Sequence, residues 1–119
     1  MKFRNKRIII AGNKFDSILE YDVWKMLTLL PNVTVTKLQP RIYLTESKIL
    51  YKPDFQCGGR SGTFYVEAKG FETATWRLKR RLWEHYGPAE LHVYVRKGIR
   101  IVLKEIIHPI GNDRNRLDA

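Results

Sequence analysis

The chain has a single cysteine, Cys57, in 119 residues. That excludes an intramolecular disulfide and any cysteine-based zinc site. Its three histidines, His85, His92 and His108, are scattered without metal-ligand spacing. No apolar stretch approaches transmembrane length. Arg4, Lys6 and Arg7 precede an apolar run at Ile8 to Ala11, but that run is too short for the hydrophobic region of a signal peptide, so a cytoplasmic setting is expected. There is no Ser-His-Asp set, no dinucleotide fingerprint and no phosphate loop. Gly58-Gly59-Arg60-Ser61-Gly62 is rich in glycine but opens no helix, and it reads as a turn. Internal repeats and low-complexity segments are also missing. The scarcest commodity is negative charge: 12 acids stand against 22 lysines and arginines, a net charge of +10.

The size suits one domain spanning residues 1–119, with a basic arm or strand at 1–12 and a polar tail at 111–119. Apolar residues make up 44% and charged residues 29%, which is the balance of a soluble globular protein. A surplus of ten positive charges on so short a chain predicts attraction to a polyanion, for which nucleic acid is the usual candidate. A membrane surface is the rival, and no membrane-spanning segment supports it.

Periodicity predicts the elements. Ile8-Ile9-Ile10 is a short strand or an extended arm. Asp16 or Ser17 caps a helix whose apolar stripe is Leu19, Val23, Met26, Leu27 and Leu30, and Pro31-Asn32 ends it. Glu20 lies beside that stripe, where a carboxylate can point into a cleft. Val33 to Leu38, Arg41 to Glu46 and Ile49 to Gln56 read as strands of a meander. Thr73 caps a second helix to Tyr86, with Ala74, Leu78 and Leu82 as its ridge and Gly87-Pro88 as its stop. Leu91 to Val95 is a strand expected to pair in parallel with Thr63 to Lys69 through that helix. Ile99 to Leu103 is the last or edge strand. The fold class is α/β, a mixed β-sheet flanked by helices in the order α-β-β-β-α-β.

The most informative stretch is Tyr51 to Gly70. Two extended segments flank the glycine turn. On the second, Phe64, Val66 and Ala68 share one face, and Tyr65, Glu67 and Lys69 share the other. Asp54, just after Pro53, can approach Glu67 across the hairpin. Paired carboxylates repel unless a cation joins them, and hard oxygen ligands of this kind suit magnesium. Lys69, on the same face, can hold a water or stabilise developing negative charge. An ordinary surface ladder of opposite charges is the bland alternative. Against it, Phe55, Tyr65 and Val66 suggest a covered sheet, where acids need a reason.

Pro53-Asp54 followed by Glu67-Ala68-Lys69 resembles the motif of the PD-(D/E)xK nuclease superfamily. Ser17-Ile18-Leu19-Glu20 resembles the Ser-x-x-Glu opening of the first helix in phage endonuclease I and related small nucleases. The match extends downstream, where Lys69-Gly70 is followed by Thr73 and a basic helix ending in Tyr86-Gly87. The resemblance runs from about Phe15 to Val95, and four elements in order are more specific than any one of them. It implies a restriction-endonuclease-like core and a Mg2+-dependent DNA endonuclease, with Mn2+ as the substitute ion. In that picture Asp54, Glu67 and the Ala68 carbonyl hold the metal. Glu20 binds a second metal or orients water, and Lys69 activates or positions the nucleophilic water. It further implies products with 5′-phosphates, branched DNA such as the four-way (Holliday) junction as substrate, a homodimer, and a phage or prokaryotic setting. A sequence-nonspecific nickase, a restriction-like nuclease and a noncatalytic nucleic-acid-binding module are the alternatives. Candidate DNA contacts are Arg77, Lys79, Arg80 and Arg81 on the second helix, with Thr73 at its cap and Lys52 beside Pro53. Asp16, Asp22 and Glu72 are assigned to capping or surface. Trp76 and Trp83 are assigned to packing.

Overall fold

The computed structural model describes residues 8–110; the basic arm at Arg4, Lys6 and Arg7 and the tail at 111–119 lie outside the described residues. The chain opens with two short strands, β1 (Ile8–Ile10) and β2 (Asn13–Phe15), paired antiparallel. Helix α1 (Ile18–Leu29) follows, with Ser17 as its N-cap: the Ser17 hydroxyl accepts from the Glu20 amide at 3.0 Å. Next come β3 (Thr34–Leu38), the two-residue strands β4 (Ile42–Tyr43) and β5 (Leu50–Tyr51), and the hairpin β6 (Phe55–Gly59) and β7 (Gly62–Ala68). Helix α2 (Ala74–Tyr86), β8 (Leu91–Lys97) and β9 (Arg100–Ile107) complete the described chain.

The main sheet has five strands in the order β3-β6-β7-β8-β9. It is mixed. The β7–β8 pair is parallel, as expected, with α2 as the crossover, and the other neighbours run antiparallel. Both faces are covered. Val66, Phe55 and Cys57 pack with Val23 and Leu27 of α1, whereas Tyr65, Leu91 and Val93 pack with Trp76 and Trp83 of α2. The alternation read for β7 therefore holds, and its second face is interior too: Tyr65 and Glu67 are buried. Among the described residues, no helix is long and apolar enough to cross a membrane.

Several expectations need correction. The segments Arg41 to Glu46 and Ile49 to Gln56 do not extend the main sheet as a meander. Only β4 and β5 pair, as a separate two-stranded ribbon, and β6 takes β3 as its neighbour. The break falls at Lys52-Pro53-Asp54: proline has no amide hydrogen to donate to a ladder, so β5 ends before it and β6 starts after it. On α2 the buried residues are Trp76 and Trp83. Leu78, assigned to the apolar ridge with Ala74 and Leu82, is 55% exposed. Two indoles present more apolar area than the smaller ridge, and they turn the helix toward Tyr51 and Tyr65. His92 is half-buried and stacks on Phe64 with ring centroids 4.4 Å apart.

The end of α2 shows why a glycine sits there. Gly87 is extended (φ −64°, ψ 145°), so its backbone demands no glycine. Space does: a Cβ would lie 2.5 Å from Nε1 of Trp83, whose N–H donates to the Ala89 carbonyl at 2.8 Å. Gly87→Ala should therefore destabilise the protein by about 1–3 kcal/mol through overpacking. Gly70→Ala, where a Cβ meets nothing within 4 Å, should change stability by less than about 0.5 kcal/mol. Denaturant unfolding of both variants checks this, and equal effects would remove the packing constraint.

Candidate functional site

Four segments meet at one end of the sheet: the first turn of α1, the loop after β3, the Pro53-Asp54 break before β6, and the end of β7. Each delivers its polar group for a local reason. Ser17 and Glu20 form the two halves of a capping arrangement, in which Glu20 turns back so that its Oε1 accepts from the Asp16 amide at 3.3 Å. This turns the Glu20 carboxylate inward, and the residue is only 5% exposed. Asp54 sits where the ladder register, Phe55 opposite Val66, continues to Glu67. Its Oδ2 accepts from the Ala68 amide at 2.7 Å. The residue as a whole is half-buried, with its carboxyl at the enclosed end. Glu67 is 7% exposed.

Three acids are thereby crowded into low-dielectric surroundings. Burial pushes the Asp54 carboxyl well above the usual carboxylate range, and the charges of Glu67 and Glu20 push it further. Glu20 is raised by burial, offset in part by a hydrogen bond to Asp54. Two carboxyls can hydrogen-bond each other only when one carries a proton, and the bond raises Asp54 while it lowers Glu20. Burial raises Glu67 as well, and Lys69 offsets part of that. The Lys69 ammonium stands 3.3 Å from Oε2 of Glu67 and 4.6 Å above the Trp76 ring. Asp54, Glu67, Lys69 and Glu20 thus come together as one cluster.

The sequence reading missed three contributors. Tyr51 donates its hydroxyl to Oε1 of Glu67 at 2.6 Å, inside the protein. It opens the Tyr51 to Gly70 stretch, yet nothing in the pattern separates it from a packing tyrosine. Gln39 donates its backbone N–H to the Asp54 carbonyl at 2.8 Å and its side chain to Oδ2 of Asp16 at 3.1 Å, tying the loop after β3 to the acids. Trp76 supplies the ring beneath Lys69. Pro40, which follows Gln39, is the sole hint for the loop, and no residue pattern marks the tryptophan.

The donor set fits a small divalent cation. All three acids offer hard oxygens, and each is raised toward protonation when nothing positive stands between them. Among the described residues no three His, Cys, Asp or Glu side chains form a ready-made convergent cation cage. Magnesium does not require one, since it binds through one or two carboxylates and keeps several waters. A cleft of about 780 Å³ opens elsewhere, at the far end of the sheet between the end of α1, the β6–β7 turn and the start of β8. It holds none of the clustered acids.

The candidate DNA contacts fare differently from one another. Arg80 bonds Glu105 through two nitrogens, at 2.6 and 3.1 Å, and Glu84 at 3.0 Å. The Lys79 ammonium donates to the Leu50 carbonyl at 2.9 Å and lies over the Tyr51 ring. The Thr73 hydroxyl caps α2 by accepting from the Trp76 amide at 3.0 Å. These three carry structural duties, while Arg77, Arg81 and Lys52 are exposed.

Acids with raised pKa values keep protons that the unfolded chain has already lost. Without a cation, stability should fall as pH rises from the ordinary values of 3.8 for Asp and 4.5 for Glu toward neutrality, and level off above the folded-state pKa values. Asp54→Asn keeps an oxygen for the Ala68 amide and offers Glu20 a permanent donor. Its thermal midpoint in chelator at pH 7.5 should rise, by about 4 °C for each kcal/mol of repulsion relieved. A midpoint below that of the wild-type protein would contradict the crowding.

Comparison with curated proteins and comparison with solved structures each find no match. A family model does match, over residues 1–101, a span that takes in Glu20, Asp54, Glu67 and Lys69. The chain belongs to the family described as "Protein of unknown function (DUF1064)".

Proposed function

We propose that this protein is a Mg2+-dependent DNA endonuclease. The observation that carries the reading is the meeting of Glu20, Asp54 and Glu67 with Lys69 at the Pro53-Asp54 break in a basic protein. Three buried acids sharing a single cation partner destabilise a fold, so their presence calls for a chemical reason. Asp54 and Glu67 would hold the cation, assisted by the Ala68 carbonyl, and Glu20 would serve a second ion or a water. When bound, the cation supplies Lewis acidity and neutralises phosphate charge.

The remaining work falls to the chain. Tyr51 fixes one oxygen of Glu67, so the other faces Lys69. The Ala68 amide fixes one oxygen of Asp54 in the same way. Lys69, pinned between Glu67 and the Trp76 face, has donors to orient an attacking water and charge to offset that building on the phosphate. The net positive charge draws the polyanion to the protein. Branched DNA, cut by a homodimer, is the substrate class that the resemblance implies, and competition between a labelled four-way junction and an equal mass of duplex measures that preference.

Two variants test the chemistry. Glu67→Gln should retain DNA binding in Ca2+ while losing Mg2+-supported cleavage, read by gel shift and by single-turnover cutting. Wild-type cutting by this variant would refute the metal role. Lys69→Ala should lower the single-turnover rate on the order of a hundredfold or more, with the Mg2+ concentration dependence nearly unchanged. A rate within a few-fold of wild type would reduce Lys69 to a surface partner of Glu67.

A further inference from the structure

The β4–β5 ribbon holds an arrangement that folding alone does not explain. Its register pairs Ile42 with Tyr51 and Tyr43 with Leu50. Arg41 and Lys52 are the residues that directly flank this ladder on one side, next to Ile42 and Tyr51, and continuing the register by one position would set them across from each other. Both are exposed, and neither has an ion pair among the described residues. Other described cations are held by acids: Arg80 by Glu105 and Glu84, Lys104 by Glu72, Arg96 by Asp22. Like charges directly opposite each other in a ribbon are destabilising unless an anion comes between them.

The position is specific. Lys52 is two residues before Asp54, and Arg41 is two residues after Gln39, whose backbone N–H holds the Asp54 carbonyl. Chain length alone keeps the Lys52 backbone within about 7 Å of Asp54. That is roughly two nucleotide rises along one strand of a duplex. The guanidinium supplies a planar fork that matches phosphate oxygens, and the ammonium supplies a compact charge.

We infer that Arg41 and Lys52 form a two-cation clamp for a backbone phosphate of the nucleic acid, one to two nucleotides from the carboxylate cluster. The choice of substrate rests on the nuclease reading; the clamp itself rests on the ribbon register. It moves the nearest phosphate contact away from α2, where Lys79 and Arg80 are engaged, and onto the ribbon and the Pro53 break.

The test uses the full chain with Arg41→Ala, Lys52→Ala and the double variant. Binding of a defined duplex oligonucleotide in Ca2+ is followed as a function of salt. Each single change should make the slope of log K against log[salt] shallower by about 0.9, and the double by about twice that. In Mg2+ the loss should appear in KM more than in kcat. Thermal midpoints in low salt without DNA should be equal to or above that of the wild type, because repulsion is removed; a clear drop would mean that the two side chains serve the fold, and would overturn the clamp. A double variant that binds with the wild-type slope overturns it too, and if that variant still cuts, the nuclease reading survives. Slopes that fall as expected in a protein that never cuts support the clamp and remove the nuclease reading. Binding to anionic lipid vesicles that depends on the pair, with duplex binding unaffected, would assign the surface to a membrane and overturn the proposal.

Discussion

The crowding of Glu20, Asp54 and Glu67 is the constraint on which the rest of the structure turns. Three carboxyls in a low-dielectric setting repel and are poorly solvated, so each is pushed toward protonation. The fold holds them there with fixed donors: Tyr51 on Glu67, the Ala68 amide on Asp54, the Asp16 amide on Glu20. Among the described residues, Lys69 is the cation that pairs with that group, and it pairs with Glu67 alone. A cluster so arranged gains from any positive charge that enters it, which is the physical basis for the functional reading.

The scaffold makes such crowding tolerable. Both faces of the hairpin are sealed, by Val23 and Leu27 of α1 on one side and by Trp76 and Trp83 of α2 on the other. The acids occupy the point where these layers end and the β6 ladder stops at Pro53. Trp83 ties the end of α2 to the Ala89 carbonyl, and Trp76 ties its start to Lys69. One helix therefore serves both as core and as the seat of the site's single paired cation.

Much of this was legible in the sequence. The period-2 alternation of Phe64 to Lys69 placed Glu67 and Lys69 on one face, and Pro53 before Asp54 marked the approach of a second acid. The Ser17 to Glu20 spacing is a helix-capping signature in its own right, and the same geometry turns the Glu20 carboxyl inward. What was harder to see has a common cause. The sequence pattern merges the β4–β5 ribbon into the main sheet, because strand propensity reports extended backbone and says nothing about which neighbour it bonds. The pattern puts Leu78 in the core because helical spacing identifies a stripe but not which of two competing stripes, leucine or tryptophan, meets the sheet.

By itself, then, the chain determined whatever depends on local order: the two helices and their caps, the hairpin, the parallel return through α2, the basic surplus, and the candidate acids 54 and 67 with Lys69. Only the tertiary structure decided how residues far apart in sequence share space. It joined Glu20 to Asp54, set Tyr51 beneath Glu67, and committed Arg80 to Glu105 while leaving Arg41 and Lys52 exposed at the end of the β4–β5 ribbon. The reason is that backbone periodicity acts within a few residues, whereas electrostatic coupling and ring contacts are set by distance in space, which packing of the layers alone establishes.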